Sequence, residues 1–115
     1  MLLNADRNRI QDANGVENGP FLPYPAIAVG GTSFAGLGLQ DTTVILTDNE
    51  VSGTVGQWGL EVVPWATDTL RTIAVGNTFS GTSGIHLGPD STGCIVKKEG
   101  APVVDDGSGN YVLTP

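Results

Sequence analysis

This sequence is poor in charged residues, aromatic residues and cysteine, and each shortage excludes a class of protein. Charged residues make up only 15% of the 115 positions, whereas glycine alone contributes 17, a composition typical of turn-rich β proteins and not of charged helical bundles. The single cysteine, Cys94, has no partner for an internal disulfide and no neighbour at metal-ligand spacing, so it is predicted to be a small buried residue. No apolar run approaches the roughly 20 residues that span a bilayer, so no membrane insertion is predicted.

Basic residues are also scarce. Five lysines and arginines stand against twelve acids, with a net charge of −7 and a pI near 4.2, so a polyanion such as nucleic acid would be repelled. The acidity favours solubility and, as the functional alternative, a surface for cations or neutral sugars. The chain does not open with a charged segment followed by an apolar one, so no signal peptide is visible.

Short apolar runs separated by turn residues fill the chain. None is long enough for a helix or has its 3.6-residue period, and Asn-Gly, Ser-Gly and Asp-Gly pairs stand between them. An all-β chain is therefore predicted. The predicted strands are Leu2–Leu3, Ala26–Val29, Leu37–Leu39, Val44–Leu46, Leu60–Val63, Leu70–Val75, Ile85–Leu87, Cys94–Val96, Pro102–Val104 and Tyr111–Leu113.

One stretch of the chain is repeated. Residues 43–53 and 71–81 share an apolar triplet, an asparagine, an apolar residue and Ser-Gly in the same order, with Asn49 and Asn77 28 positions apart. A weaker copy opens the chain, with one extra residue before Asn8, and another lies towards the end. A repeat of this length indicates one supersecondary unit stacked on copies of itself, here about four.

The repeated asparagine decides between architectures. In a coil of parallel strands each corner needs a residue that tolerates a left-handed backbone, and an inward Asn can bond to the turns above and below. Asn49 and Asn77 are therefore predicted to stack as a structural ladder, with Val51 and Phe79 at the next inward position. A β-sandwich of antiparallel hairpins gives no reason for such a recurrence.

The pattern at 73–81, followed by Gly84-Ile85-His86-Leu87, resembles the repeat of right-handed parallel β-helix proteins of the pectate-lyase-like superfamily. The resemblance covers about residues 1–104 and is strongest at 43–96. It implies an all-β, right-handed parallel β-helix, or solenoid, of about four turns. The superfamily includes polysaccharide lyases and hydrolases, phage tailspikes and surface adhesins, which implies an extracellular or cell-surface location but leaves the function open.

Under this interpretation the whole chain, residues 1–115, is a single β-helix segment. A protruding loop is predicted at about 15–25 and a C-terminal tail at about 105–115, and residues 110–115 of this tail are the candidate for a cap at the other end of the coil. No cap precedes Leu2, so that end is expected to be uncapped, or covered by a second copy in a homo-oligomer.

Two sets of polar residues are candidates for chemistry. The repeat aligns Glu61 with His86 and points both outward, either as an acid–base couple or as an ordinary cross-strand contact. The pair Asp105 and Asp106 superficially resembles a motif of pectin hydrolases. Too few residues follow it for the catalytic partners that those families use, so a terminal turn is favoured.

A polar corner at Asp48-Asn49-Glu50 is the candidate calcium site. The equivalents of its two acids one repeat later are Gly76 and Thr78, so the acids do not stack. A structural corner is favoured and no cofactor is expected, with calcium as the alternative.

Loop aromatic residues are the candidate sugar contacts, because an aromatic ring can stack on the apolar face of a pyranose. They are Phe21, Tyr24, Trp58 and Trp65. The alternative for each is packing in the core or within its loop.

The leading hypothesis is a non-catalytic scaffold or recognition module that binds carbohydrate and belongs to a larger surface or exported protein. One alternative is a polysaccharide lyase or glycoside hydrolase, either a fragment or an enzyme with a site shared between subunits, in which Glu61 and His86 carry the acid–base roles. A second alternative is a structural assembly unit of a filament or phage fibre.

Overall fold

The computed structural model describes residues 2–11, 25–30, 41–52, 58–64, 69–80, 84–97 and 101–113. Within these ranges the chain is all-β and contains no helix, which confirms the predicted class. No described segment is a helix able to cross a membrane. The strands are β1 (Leu2–Asp6), β2 (Arg9–Gln11), β3 (Ile27–Gly30), β4 (Thr42–Thr47), β5 (Glu50–Ser52), β6 (Leu60–Val63), β7 (Leu70–Val75), β8 (Thr78–Phe79), β9 (Ile85–Leu87), β10 (Ile95–Lys97), β11 (Val103–Asp105) and β12 (Tyr111–Leu113).

The strands form three sheets, and every described strand pair is parallel. A five-stranded sheet has the order β1-β4-β7-β10-β12, a four-stranded sheet has the order β11-β9-β6-β3, and a three-stranded sheet has the order β2-β5-β8. Along the chain, β1 to β9 pass through the five-, three- and four-stranded sheets in that order three times. Equivalent strands of successive repeats therefore lie side by side, as the repeated sequence predicted and as antiparallel hairpins would not allow.

The repeat sets the register of the pairing. β4 pairs with β7 from Thr42 opposite Leu70 to Thr47 opposite Val75. β1 pairs with β4 at one constant offset that brings Asn8 level with Asn49. The extra residue predicted before Asn8 is therefore wrong, because the first copy aligns without any insertion before its asparagine.

The three-stranded sheet was not predicted from the sequence. Its strands contain only two or three residues each, which is too short to show a period. They follow the asparagine corner, and Val51 on β5 is fully buried, as expected for an inward position. Phe79, its partner on β8, is partly buried against the core.

The corner before each asparagine has a left-handed backbone. The residues there are Arg7, Asp48 and Gly76, with φ of 56°, 54° and 77°. The prediction placed a left-handed residue at the corner without separating it from the asparagine, and the structure gives the two roles to consecutive residues. Only Gly76 adopts this conformation at little cost.

The core is built from side chains that alternate along the strands. On β7, Leu70, Thr72 and Ala74 are buried while Arg71 between them is exposed. Cys94 is also buried, as predicted, and burial raises the pKa of its thiol. The other members of the buried apolar cluster are Val29, Leu46, Leu60, Val62, Ile85, Leu87 and Val96.

The end of the described chain extends a sheet. β12 lies parallel to β10, with Tyr111 opposite Ile95, and forms an outer strand of the five-stranded sheet. The predicted capping role of residues 110–115 stays a prediction. Of the predicted loop at 15–25 only Pro25 lies within the described residues, and the predicted strand Leu37–Leu39 lies outside them.

Candidate functional site

Asn49 and Asn77 form the predicted ladder. Asn49 Nδ2 donates to Asn77 Oδ1 at 2.9 Å and the Asn49 backbone N–H donates to the same oxygen at 3.0 Å. Asn8 repeats both contacts with Asn49 Oδ1, each at 3.0 Å. The remaining amide hydrogens go to carbonyls of the preceding strands, from Asn49 to Ala5 at 2.9 Å and from Asn77 to Leu46 at 2.8 Å. The ladder closes the corners of three successive repeats.

Glu61 and His86 meet on the outer face of the four-stranded sheet. They lie directly opposite each other on β6 and β9, between the fully buried residues of both strands, so the pleat turns both side chains outward. Glu61 Oε2 lies 2.7 Å from His86 Nδ1. The pairing predicted from the repeat is therefore present.

Asp106 occupies the second nitrogen of the same imidazole. Its Oδ2 lies 2.8 Å from His86 Nε2, and its backbone N–H donates to the carbonyl of Leu87 at 2.8 Å. The sequence interpretation gave Asp106 to a terminal turn and missed this contact. The alternation of side chains along β11 is the signal that could have found it. Val104 pairs with His86, so Asp106, two residues later, points to the same side as Val104.

Asp105 has the turn role that was predicted for both aspartates. Its Oδ1 accepts the Gly107 N–H at 3.0 Å and Asn110 Nδ2 at 2.9 Å. Asn110 Oδ1 in turn accepts the backbone N–H of Cys94 at 3.0 Å. These contacts fix the turn between β11 and β12, so Asp105 supports Asp106 without facing His86.

The Trp58 ring covers the imidazole. The ring centroids of Trp58 and His86 are 5.0 Å apart with an interplanar angle of 25°, within the range of stacked aromatic pairs. The backbone carbonyl of Trp58 accepts the Ala26 N–H at 3.0 Å, which fixes the segment before β6. One predicted sugar contact is thus joined to the predicted polar pair.

The two carboxylates act on the protonation of His86. Burial alone would lower its pKa, but the hydrogen bonds and the charges of Glu61 and Asp106 together outweigh that effect, so the pKa of His86 lies above its ordinary value of 6.5. The imidazolium form donates to both carboxylates, whereas neutral imidazole can donate to only one. The arrangement is a carboxylate–imidazolium–carboxylate bridge across β6, β9 and the end of β11.

This bridge leaves no imidazole nitrogen for a substrate. A general acid or base must reach the transferred proton within hydrogen-bond distance, and both His86 nitrogens are already held at 2.7 and 2.8 Å. The Asp106 side chain is 54% exposed, and Trp58 and Glu61 beside the imidazole are partly exposed. We refer to Trp58, Glu61, His86 and Asp106 as the bridge site.

The polar corner at Asp48-Asn49-Glu50 contains no converging acids. Glu50 lies beside Arg9, with Nε to Oε2 at 3.6 Å. Asp48 lies over Gly76, where an added Cβ would strike its Oδ1. Asn49 is used by the ladder. Among the described residues, no group of three or more His, Cys, Asp or Glu side chains is placed to hold a metal ion.

The other three predicted sugar contacts, Phe21, Tyr24 and Trp65, lie outside the described residues. Their role as sugar contacts therefore stays a prediction. Comparison of the chain with models of protein families found no match, and comparisons with curated proteins and with solved structures found none either. The resemblance to the pectate-lyase-like superfamily likewise stays a prediction.

Proposed function

We propose that this chain is a right-handed parallel β-helix segment that serves as a non-catalytic recognition module for neutral carbohydrate. The β-helix is supported by the parallel pairing of successive repeats and by the cyclic order in which β1 to β9 enter the three sheets. Right-handed winding is supported by the strong preference of parallel strand connections for that hand. The pectate-lyase-like resemblance fits the same architecture.

Carbohydrate recognition rests on one observation, the half-buried Trp58 ring stacked at 5.0 Å over His86, whose two ring nitrogens are held by carboxylates. A fixed aromatic ring presents an apolar surface that matches the C–H face of a sugar. Carboxylate oxygens beside the ring accept hydrogen bonds from sugar hydroxyls. The two carboxylates and the net charge of −7 favour a neutral sugar over an anionic one.

Tryptophan fluorescence tests this function. The chain has two tryptophans, so Trp65→Phe leaves Trp58 as the only emitter. Titration of that variant with neutral gluco- and xylo-oligosaccharides should shift or quench the emission saturably. Asp106→Asn should weaken the response because it removes a charged acceptor, whereas Glu50→Gln on the three-stranded sheet should leave it unchanged. Absence of a response to the whole panel, or the same affinity in Trp58→Ala by calorimetry, would contradict the proposal.

A polysaccharide lyase or glycoside hydrolase is the enzymatic alternative, and the contact between Glu61 and His86 is the observation that favours it. Two imidazole nitrogens held by carboxylates weigh against it, because a reacting group then has no access to either. The test is the absorbance of unsaturated products from pectate and alginate, together with reducing-end release from glucans and xylans. Activity that disappears in His86→Ala would support the enzyme and overturn the non-catalytic assignment.

An assembly unit is the structural alternative, favoured by the exposed apolar side chains at both outer strands of the five-stranded sheet. Leu2 on β1 is 66% exposed and Tyr111 on β12 is 64% exposed, and neither strand has a second neighbour among the described residues. An edge of this kind can pair with a strand of a second copy. Light scattering across a concentration series tests it, and a constant monomer mass would count against it.

A further inference from the structure

A cleft lies on the five-stranded sheet, away from Trp58, which belongs to the segment that leads into the four-stranded sheet. This cleft has a volume of ≈650 Å³, within the range of roughly 300–1,000 Å³ for small-molecule sites. It opens where β4 and β7 begin. The residues that matter for its chemistry are Asp41, Thr43, Thr69, Arg71, Thr92 and Gly93.

The register of the sheet places Arg71 at the centre of this cleft. Arg71 lies directly opposite Thr43 on the neighbouring strand, and its side chain faces outward between buried neighbours. On its other side is Gly93, where an added Cβ would lie 3.8 Å from Arg71 Nε. Because Gly93 has no side chain, nothing from that residue covers the guanidinium.

Arg71 differs from the other described arginines in its partners. Arg7 Nε lies 3.1 Å from Asp6 Oδ2, and Arg9 Nε lies 3.6 Å from Glu50 Oε2. Over the described ranges, Arg71 makes no ion pair and no side-chain hydrogen bond. In a chain with twelve acids and five bases, a guanidinium beside a cleft that pairs with none of the described acids is set for an external anion.

We propose that this cleft binds a small hydroxylated carboxylate, with the ligand carboxylate on Arg71 and the ligand hydroxyls on Thr43 and Thr92. A planar guanidinium matches a carboxylate in a two-point hydrogen bond, and threonine hydroxyls both donate and accept. One guanidinium balances one negative charge, while Asp41 in the same cleft and the net charge of −7 disfavour a dianion. This site is independent of the sugar site proposed at Trp58.

Three probes separate the parts of this recognition. D-gluconate carries one carboxylate and five hydroxyls, sorbitol carries hydroxyls without a carboxylate, and acetate carries a carboxylate without hydroxyls. In ¹H–¹⁵N spectra of the full chain, gluconate should shift the amides of Thr43, Arg71 and Gly93 saturably. Sorbitol and acetate should each bind at least about tenfold more weakly, because each lacks one of the two contacts.

Matched variants locate the site. Arg71→Gln should weaken gluconate binding about tenfold or more, the change expected when a charge-assisted hydrogen bond is lost. Thr43→Val, which keeps the side-chain shape, should weaken gluconate but not acetate. Arg9→Gln is the control, because Arg9 is also exposed but lies on the three-stranded sheet, and it should change neither.

Four outcomes would overturn the proposal. These are gluconate shifts that map outside the cleft, no saturable gluconate binding at all, equal affinity for gluconate and acetate, and unchanged affinity in Arg71→Gln. Because Arg71 is exposed, Arg71→Gln should fold, and an unchanged amide spectrum away from the cleft verifies this. The Trp58 fluorescence test does not involve these residues, so either site can fail alone.

Discussion

Two columns of stacked polar side chains, the asparagine ladder and the pair of Glu61 and His86, join successive strands of this protein. The first is held by hydrogen bonds between neutral amides and the second by hydrogen bonds between charged groups. Asn49 and Asn77 are each 2% exposed and neutral. His86 and Glu61 have side chains that are 17% and 22% exposed, and they join through charge. An amide carries both donors and acceptors, so identical residues satisfy one another when they stack. A column of charged side chains needs neighbours of opposite sign, so the same residue cannot occupy successive positions in it.

The difference extends to what each column can do. The asparagine ladder makes its hydrogen bonds to neighbouring amides and to the carbonyls of Ala5 and Leu46, and because these groups are neutral it joins the parallel repeats at any pH. The bridge at His86 depends on one proton and keeps carboxylate oxygens at the surface. The buried, neutral asparagine side chains therefore have a structural role, whereas the more exposed, charged side chains form the candidate site.

The largest effect is expected from breaking the ladder with Asn77→Ala. This change leaves the Asn49 amide and the Leu46 carbonyl without a buried partner, and unsatisfied buried groups of this kind cost about 1–3 kcal/mol each. We expect a loss of about 3 kcal/mol or more in the free energy of unfolding, measured with urea. The matched control is Asn4→Ala on β1, where the side chain is exposed and the loss should stay within about 0.5 kcal/mol. Equal losses would mean that the ladder is not structural.

A double-mutant cycle at the bridge should give a smaller value. Glu61→Gln, His86→Gln and the double variant isolate the coupling between the two side chains. Because both are partly exposed, solvent screens the pair, and we expect a coupling energy of about 1 kcal/mol at pH 6. A coupling near zero would show that the 2.7 Å contact contributes little to stability.

The pH dependence distinguishes the two columns most clearly. The pKa of His86 is raised in the folded protein, so its stabilisation is fully present below the unfolded pKa near 6.5 and is lost as the pH rises through the folded value. The difference in unfolding free energy between the natural chain and His86→Gln should therefore shrink from pH 5.5 to pH 9. The corresponding difference for Asn77→Ala should stay constant over that range. A pH-independent His86→Gln difference would contradict the bridge.

The smallest effect on stability is expected for Asp106→Asn. The side chain is 54% exposed, so solvent screens its charge, and the amide can still accept a hydrogen bond from His86. We expect a change of about 0.5 kcal/mol or less in the free energy of unfolding. The chemical shift titration of His86 is the more sensitive measurement, and its midpoint should fall towards 6.5 because one of the two carboxylates is lost. A midpoint that does not move would remove Asp106 from the site.

The order of residues was enough to predict the β class, the parallel stacking of Asn49 on Asn77 and the opposition of Glu61 and His86. The physical reason is that a repeat imposes one register on every equivalent position, so an offset found at one pair of residues applies to its neighbours.

The contacts between unlike segments could not be predicted and became visible in the folded chain. Asp106 reaches His86 from the turn after β11, Trp58 lies over the imidazole from the segment before β6, and Arg71 beside Gly93 has no ion-pair partner among the described residues. Trp58 and Asp106 lie outside the two repeated stretches, and Arg71 differs in type from Thr43, its equivalent in the repeat. Their neighbours therefore depend on how loops of different length return to the sheets. The short strands β2, β5 and β8 could not be predicted either, because two or three residues are too few to show an alternation of apolar and polar side chains.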